Sequence, residues 1–273
     1  MIQRNLIVKP NLQRLSEAAA GLFAELAADA IARRGRFAVA LSGGSTPKRL
    51  YQLLANAPWR EQIDWGRCHL FWGDERLVPA DHPDSNYRLA RETLLRRLPI
   101  PLGQIHRVPV EVGVGESVAA AYEAEMRRFF VEDTARQHPH ADEERAAGDE
   151  AAPGDSEPRH LSGGSAETPR FDLVLLGLGS DGHTASLFPG HSAVEEQVRW
   201  VVATPSGRLP PPVDRVTLTL PVINAARAVL FLVAGADKAP VLRQVLAGEA
   251  SLPASLVRPS DGELYWLVDE AAL

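Results

Sequence analysis

The chain reads as an α/β protein: a mainly parallel, open, Rossmann-like sheet flanked by helices. Three observations predict this class. Short apolar runs alternate with helix-length amphipathic stretches along the chain. The strongest runs, FAVAL at 37–41 and FDLVLL at 171–176, are continuous rather than alternating, as strands covered on both faces are. Glycine-rich polar clusters follow directly on several of these runs, where open α/β sheets place their ligands.

Taken in order, Leu6 to Val8 predicts a short first strand, and Asn11 predicts the cap of a helix carrying Leu15, Leu22, Leu26 and Ile31. Phe37 to Leu41 is a buried strand that breaks at Gly43-Gly44, and Pro47 fits the first position of a helix through Leu50, Leu53 and Leu54. His69 to Trp72 is a strand ending in the polar cluster Gly73-Asp74-Glu75-Arg76. Ser85 or Asn86 then caps a helix through Leu89, Leu94, Leu95 and Leu98. Ile105 to Val108 reads as a short strand, and Glu116 to Val131 as a helix with Val118, Tyr122, Met126 and Phe129 on one face. Phe171 to Leu176 is a strand running into a glycine-rich turn. Further strands are expected at Trp200 to Ala203, Val216 to Leu220 (alternating, hence one-sided), Val229 to Val233 and Leu264 to Val268, with a helix at Asp237 to Leu246.

One segment stands outside this pattern. Thr134 to Arg170 is 37 residues long, and Leu161 is its one large apolar side chain. Such a stretch cannot bury enough apolar area to offset an ordering entropy of roughly 1–2 kcal/mol per residue. It is expected to be a flexible acidic insertion in a single domain spanning 1–273. It repeats LSGGS at 161–165, the string also found at 41–45, but without a flanking strand or helix.

Composition bounds the function. Of 273 residues, 29 are basic and 35 acidic, for a formal net charge of -6. An acidic chain without a dense basic stretch is a poor nucleic-acid binder. The single cysteine, Cys68, excludes a disulfide framework within the chain and any cysteine-built zinc cluster. The longest apolar runs, such as AVLFLVA at 228–234, fall far short of the ~20 residues that span a bilayer. The N-terminus lacks the apolar core of a signal peptide. A cytoplasmic protein without membrane or nucleic-acid partners is therefore expected; a monomer is carried as a further expectation that composition does not decide.

Three clusters carry the candidate chemistry. Ser42 to Pro47 offers two glycines, hydroxyls and the free N–H groups of a following helix, which suit a phosphate as well as a plain strand–helix turn. It is not a Walker loop, since GxxxxGK[ST] is absent. Gly73 to Arg76, followed by Asp81, Asp84, Ser85 and Asn86, places an arginine fork beside carboxylates; it fits an anionic or hydroxylated ligand or a salt-bridge network. Asp81, His82 and Asp84 match no familiar metal spacing. Gly177 to Thr184 contains GxGxxG after a strand, but Pro189-Gly190 interrupts the helix a dinucleotide site needs, and no acidic residue follows at a second strand's end. Its more telling feature is Asp181 two residues before His183, a carboxylate able to fix the tautomer of a general-base imidazole. No GxSxG or HExxH motif is present.

LSGGSTP (41–47), WGDERLVP (72–79) with DSNY (84–87), LGLGSDGHTASLFPG (176–190) and VTLTLPVINAARAVLFLVAGADKAPVL (216–242) closely resemble the motifs of 6-phosphogluconolactonases. The resemblance covers nearly the whole chain outside 134–170. It implies the α/β fold shared with the glucosamine-6-phosphate deaminases and hydrolysis of a sugar-phosphate lactone in the oxidative pentose phosphate pathway. It implies no metal and no organic cofactor.

The resemblance further implies that His183 is the base that activates water, Asp181 its acidic partner and Arg76 a substrate-holding arginine. Gly43, Gly44, Ser45 and Thr46 match the phosphate-side loop, and Lys238 a lysine expected near the phosphate. Asp74 and Asn86, within the matching motifs, are expected to bind substrate. Two alternatives are carried. A deaminase loop resembles DGHIAFNEP, with a glutamate assisting ring opening, whereas Phe188 occupies that place here and cannot relay a proton. A non-catalytic sugar-phosphate sensor needs only the anion site, not His183, Asp181 and Arg76 together.

Overall fold

The computed structural model describes residues 4–137, 168–207 and 211–273, with residues 131–137 described by backbone alone. The expected insertion therefore lies almost wholly outside the described residues, and its LSGGS repeat entirely so.

Six strands form one parallel sheet in the order β3-β2-β5-β8-β9-β1. They are β1 (Arg4–Lys9), β2 (Phe37–Leu41), β3 (Cys68–Trp72), β5 (Leu173–Leu176), β8 (Ala228–Val233) and β9 (Glu263–Asp269). Every residue of β2, β5 and β8 is buried, which is why their sequences run continuously apolar. Burying one large aliphatic or aromatic side chain contributes about 1.5–3 kcal/mol, and this core holds Phe37, Phe71, Phe171 and Phe231 fully buried, the last stacked on Trp266 at 3.9 Å.

Helix α1 (Leu12–Arg34) starts where the Asn11 side chain accepts from the Arg14 N–H at 3.0 Å. It ends at Gly35, whose left-handed φ of 76° lets its N–H reach the Ile31 carbonyl. Its buried stripe of Leu15, Ala19, Phe23, Ala27 and Ala30 has the three-to-four-residue spacing of one helix face. The other α-helices among the described residues are α2 (Ser45–Leu54), α3 (Trp59–Gln62), α4 (Asn86–Thr93), α5 (Gly115–Gln137), α6 (Leu220–Ala225) and α7 (Ala239–Ala247). Helix α5 runs past the predicted end at Val131.

The expected mainly parallel sheet flanked by helices is present, and a smaller sheet that was not expected stands beside it. A second, three-stranded antiparallel sheet has the order β4-β7-β6, from β4 (Asp74–Arg76), β7 (Arg215–Leu218) and β6 (Val201–Thr204). The polar cluster at 74–76, read as a strand-end loop, is itself a strand. β7, read as one-sided, is central in its sheet and buried at all four positions. Gly73 joins the two sheets: its N–H donates to the Leu41 carbonyl and its carbonyl accepts from the Leu218 N–H, both at 2.8 Å. Ile105 makes only a single bridge to Leu70, so 105–108 is no strand. Pro47 is the third residue of α2, not the first, because the helix begins at Ser45 behind Gly44.

The topology fixes where a ligand can sit. From β2 the chain moves outward to β3, whereas the next strand of this sheet after β5 is β8, on the other side. Loops leaving β2 and β5 therefore diverge and open a crevice at the carboxyl ends of neighbouring strands.

Candidate active site

That crevice is a cleft of about 370 Å³. It is lined by the loop after β2 (Ser42 to Pro47), by Asp74, Arg76 and Asn86, by Gly177, Gly179 and His183 after β5, and by Lys238 after β8. The structure thus brings the sequence-predicted residues to one place, with Asp181 standing behind His183.

The loop after β2 is braced from below. Tyr51 of α2 is fully buried; its hydroxyl donates to the Ser42 carbonyl at 2.6 Å and accepts from the Ser42 N–H at 3.0 Å. Gly44 has φ of 104° and ψ of 172°, a conformation open to glycine but not to ordinary side chains. Helix α2 begins behind it with no side-chain cap for the N–H groups of its first turn, and its first two residues, Ser45 and Thr46, line the cleft, so the positive end of the helix lies at the cleft wall. Gly43 is needed for another reason: a Cβ there would sit 1.9 Å from Asn86 Oδ1. Lys238 lies in a single 3-10 turn after β8, its Nζ 3.3 Å from Asp237 Oδ2. A helix N-terminus, hydroxyls and a lysine together suit a phosphate.

Strand β4 supplies the middle of the cleft. The buried Glu75 carboxylate accepts from the backbone N–H groups of Arg76, Asn86 and Tyr87 at 2.7–2.8 Å and from the Ser85 hydroxyl at 3.2 Å. It therefore clamps the start of α4 onto the strand. Burial, which outweighs those backbone N–H bonds, pushes its pKa up to about 7. Asn86 Nδ2 donates to the Asp74 carbonyl at 2.9 Å, and Asp74 Oδ2 accepts from the buried Ser186 hydroxyl at 2.6 Å. Arg76 Nη1 donates to the Asp84 carbonyl at 2.8 Å.

The loop after β5 holds the imidazole. His183 Nδ1 lies 2.5 Å from Asp181 Oδ1, and the same oxygen accepts the His183 backbone N–H at 3.1 Å. Burial raises the Asp181 pKa, but the hydrogen bonds and charge of His183 outweigh it and hold the carboxyl below its usual range. With Nδ1 engaged, Nε2 is the ring nitrogen left to take a proton. Gly179 makes room: a Cβ on it would stand 2.1 Å from His183 Nδ1. Phe188 backs the ring with centroids 5.0 Å apart, and Ala185, lining the cleft, holds a positive φ of 47°. No α-helix begins within the described residues 184–207, so the GxGxxG lacks the element through which a dinucleotide fingerprint works.

Sequence reasoning missed Arg215, which lines the cleft from β7 and places its guanidinium 5.3 Å from the Phe188 ring centroid. It precedes the VTLTL run by one residue, where the alternation used to find the strand had not begun. Ser186 and Glu75 were missed as supports because only tertiary contact reveals them. Among the described residues no group of three or more His, Cys, Asp or Glu side chains is placed to hold a metal ion. Among the same residues no helix is long and apolar enough to cross a membrane.

A parallel sheet with its cleft at the switch point, a loop suited to an anion and a carboxylate-set histidine define an α/β protein with the apparatus of a small-molecule enzyme. The match of residues 10–266 to the model described as glucosamine-6-phosphate isomerases/6-phosphogluconolactonase makes it specific: the chain belongs to that family. It is 41% identical over 246 residues to a 6-phosphogluconolactonase of Nostoc sp., covering 89% of this chain and 86% of the relative. The figure for the Synechocystis sp. 6-phosphogluconolactonase is 42% over the same span. Among solved structures, the 6-phosphogluconolactonase of Trypanosoma brucei superposes with a TM-score of 0.77 at 31% identity, over 100% of this chain and 98% of that one. A monomeric glucosamine-6-phosphate deaminase shares the fold, with a TM-score of 0.72 at 18% identity.

Proposed function

We propose that this chain hydrolyses 6-phosphogluconolactone to 6-phosphogluconate, with His183 as the general base. The observation that carries the reading is the Asp181–His183 pair, 2.5 Å apart, set into the same cleft as the phosphate-type loop and Lys238. The first turn of α2, Ser45, Thr46 and Lys238 hold the 6-phosphate, and that remote binding energy positions the lactone ring. Nε2 of neutral His183 takes a proton from water as its oxygen bonds to C1. The carbonyl electrons move onto oxygen, and the cationic groups of the cleft stabilise that charge. Collapse restores the C1 carbonyl, breaks the bond from C1 to the ring oxygen, and returns a proton to that oxygen from the imidazolium. Asp181 keeps the imidazole in the accepting tautomer and stabilises its charged form. The substrate is a small sugar-phosphate lactone, and no cofactor enters any step.

Phe188 argues against the deaminase alternative. It is 7% exposed and packed between the His183 ring and Arg215, where it offers no group for proton relay. The test is hydrolysis of freshly generated 6-phosphogluconolactone by wild type beside His183→Ala, against the spontaneous background. A positioned general base is worth about 10²–10⁴ in rate, so the variant should lose that factor while remaining folded. Undiminished turnover by the variant would remove His183 from the role. No acceleration by folded wild type would overturn the lactonase reading.

A further inference from the structure

The register of β4 against β7 places Arg76 directly opposite Arg215. Like charges facing each other across an antiparallel pair are destabilising unless something between them compensates. The other two pairs of this ladder, Asp74 with Thr217 and Glu75 with Val216, carry no such conflict.

Neither arginine is paired by a carboxylate in direct contact, although the charges of Asp74, Asp181 and Asp84 reach Arg215 from further off. Arg215 is 3% exposed; its Nη2 donates to the Pro211 carbonyl at 3.2 Å, and its Nε is buried without a partner. The Nε of Arg76 is likewise buried and unpartnered. Among the described residues no carboxylate stands within ion-pair distance of either guanidinium. Of the two acids on β4, Asp74 is turned to Ser186 and Asn86, and Glu75 to the start of α4. Burial holds the Arg215 pKa below its ordinary value, a cost that an anion in the cleft would offset.

The position of this pair is also informative. Phe188 lies between Arg215 and the His183 ring, and the charges acting on Arg215 are those of Asp74, Arg76, Asp181 and Asp84. Arg215 thus belongs with the histidine, and both arginines line the cleft shared with His183.

We propose that Arg76 and Arg215 form a second anion subsite, at the C1 end of the cleft, which takes the developing oxyanion and then the carboxylate of the acid product. The cleft is accordingly built for a ligand charged at both ends, and phosphorylated aldonic acids bind it in their own right. Arg215 is the residue that distinguishes the acid from the uncharged alcohol. The assignment of ends rests on the lactonase reading above, whereas the arginine pair itself does not.

The test is calorimetric titration of 6-phosphogluconate and of glucitol 6-phosphate, which keeps the phosphate but has a hydroxymethyl group at C1. Both are titrated into wild type, Arg215→Met and Arg215→Lys. A hydrogen bond to a charged group corresponds to about 10- to 100-fold in affinity. Wild type should prefer the acid by at least about tenfold, and Arg215→Met should erase that margin while binding the alcohol as before, which also reports an intact fold. Arg215→Lys, keeping charge but not the fork, should fall between; it decides the matter if the Met variant does not fold. An acid-to-alcohol ratio unchanged in the variants, or absent in wild type, would overturn the subsite. Lactone turnover by wild type is read separately: turnover without Arg215-dependent preference sinks the subsite alone. Preference without turnover sinks the lactonase reading alone.

Discussion

Gly179→Ala is the most direct probe of the histidine geometry. The residue needs no left-handed backbone, so the substitution acts through space alone. The added Cβ would meet His183 Nδ1 at 2.1 Å, His183 Cε1 at 2.2 Å and Asp181 Oδ1 at 2.8 Å. Ordinary carbon contacts begin near 3.5 Å, so the ring must retreat by more than about 1 Å. Phe188 stands behind it, with Gly207 in turn so close that a Cβ there would come within 2.4 Å of the Phe188 ring. The imidazole therefore moves off Asp181 or off its line into the cleft, rather than settling backwards. A misplacement of about 1 Å can cost about 10²-fold in rate, and overpacking typically costs about 1–3 kcal/mol of stability. The assay is kcat and KM for freshly generated 6-phosphogluconolactone with thermal unfolding measured alongside. The expected result is a kcat lowered about 10²-fold, a KM close to wild type because the phosphate loop is untouched, and a folded protein. Near-wild-type kcat in a folded variant would refute the claim that the Asp181–His183 arrangement sets the rate.

Two further outcomes follow from the geometry. Gly43→Ala drives a Cβ to within 1.9 Å of Asn86 Oδ1, so it should distort the phosphate side and raise KM at least about tenfold, more than it lowers kcat; a selective kcat loss would count against the division of the cleft into two ends. Burial raises the folded pKa of Glu75 to about 7, well above the ordinary carboxylate range. Folding therefore favours its protonated form, and its contribution to stability is complete below the unfolded value and lost as pH rises through about 7. Urea unfolding from pH 4 to 8 should accordingly show Glu75→Gln gaining on wild type as pH rises, and a pH-independent difference would contradict the assignment.

The parallel core was legible because burial on both faces leaves an unbroken apolar run, as at 37–41, 173–176 and 228–233. The Asn11 and Ser85 caps were legible because a cap acts on its own first turn. The second sheet was not, because its first strand is three polar residues, Asp74 to Arg76, whose pairing partner lies about 140 positions away in sequence. Its two acidic side chains, which propensity sets against a strand, are each answered by tertiary partners: Ser186 for Asp74, and the start of α4 for Glu75. The candidate site was readable wherever a loop carries its own chemistry, as in Ser42 to Thr46 and Asp181 to His183. Arg215 was not readable, since an arginine at the edge of a strand declares no function until its cross-strand neighbour proves to be another arginine.

That contrast bears on how the cleft works. The parallel sheet presents backbone at its carboxyl edge: helix α2 begins there, and the loops after β2 and β5 diverge there, which suits a fixed dianion such as a phosphate. A developing oxyanion needs more: charge and directed donors held at one place before any negative charge exists. The antiparallel sheet meets that need because its register, pinned through Gly73 to the ends of β2 and β7, sets the Cα atoms of Arg76 and Arg215 opposite one another whether or not a ligand is present. The electrostatic cost of holding two guanidinium groups together is thereby charged to the folding of the small sheet. It is recovered only when an anion enters, so stability lost in the free protein reappears as binding at the point where the reaction creates charge.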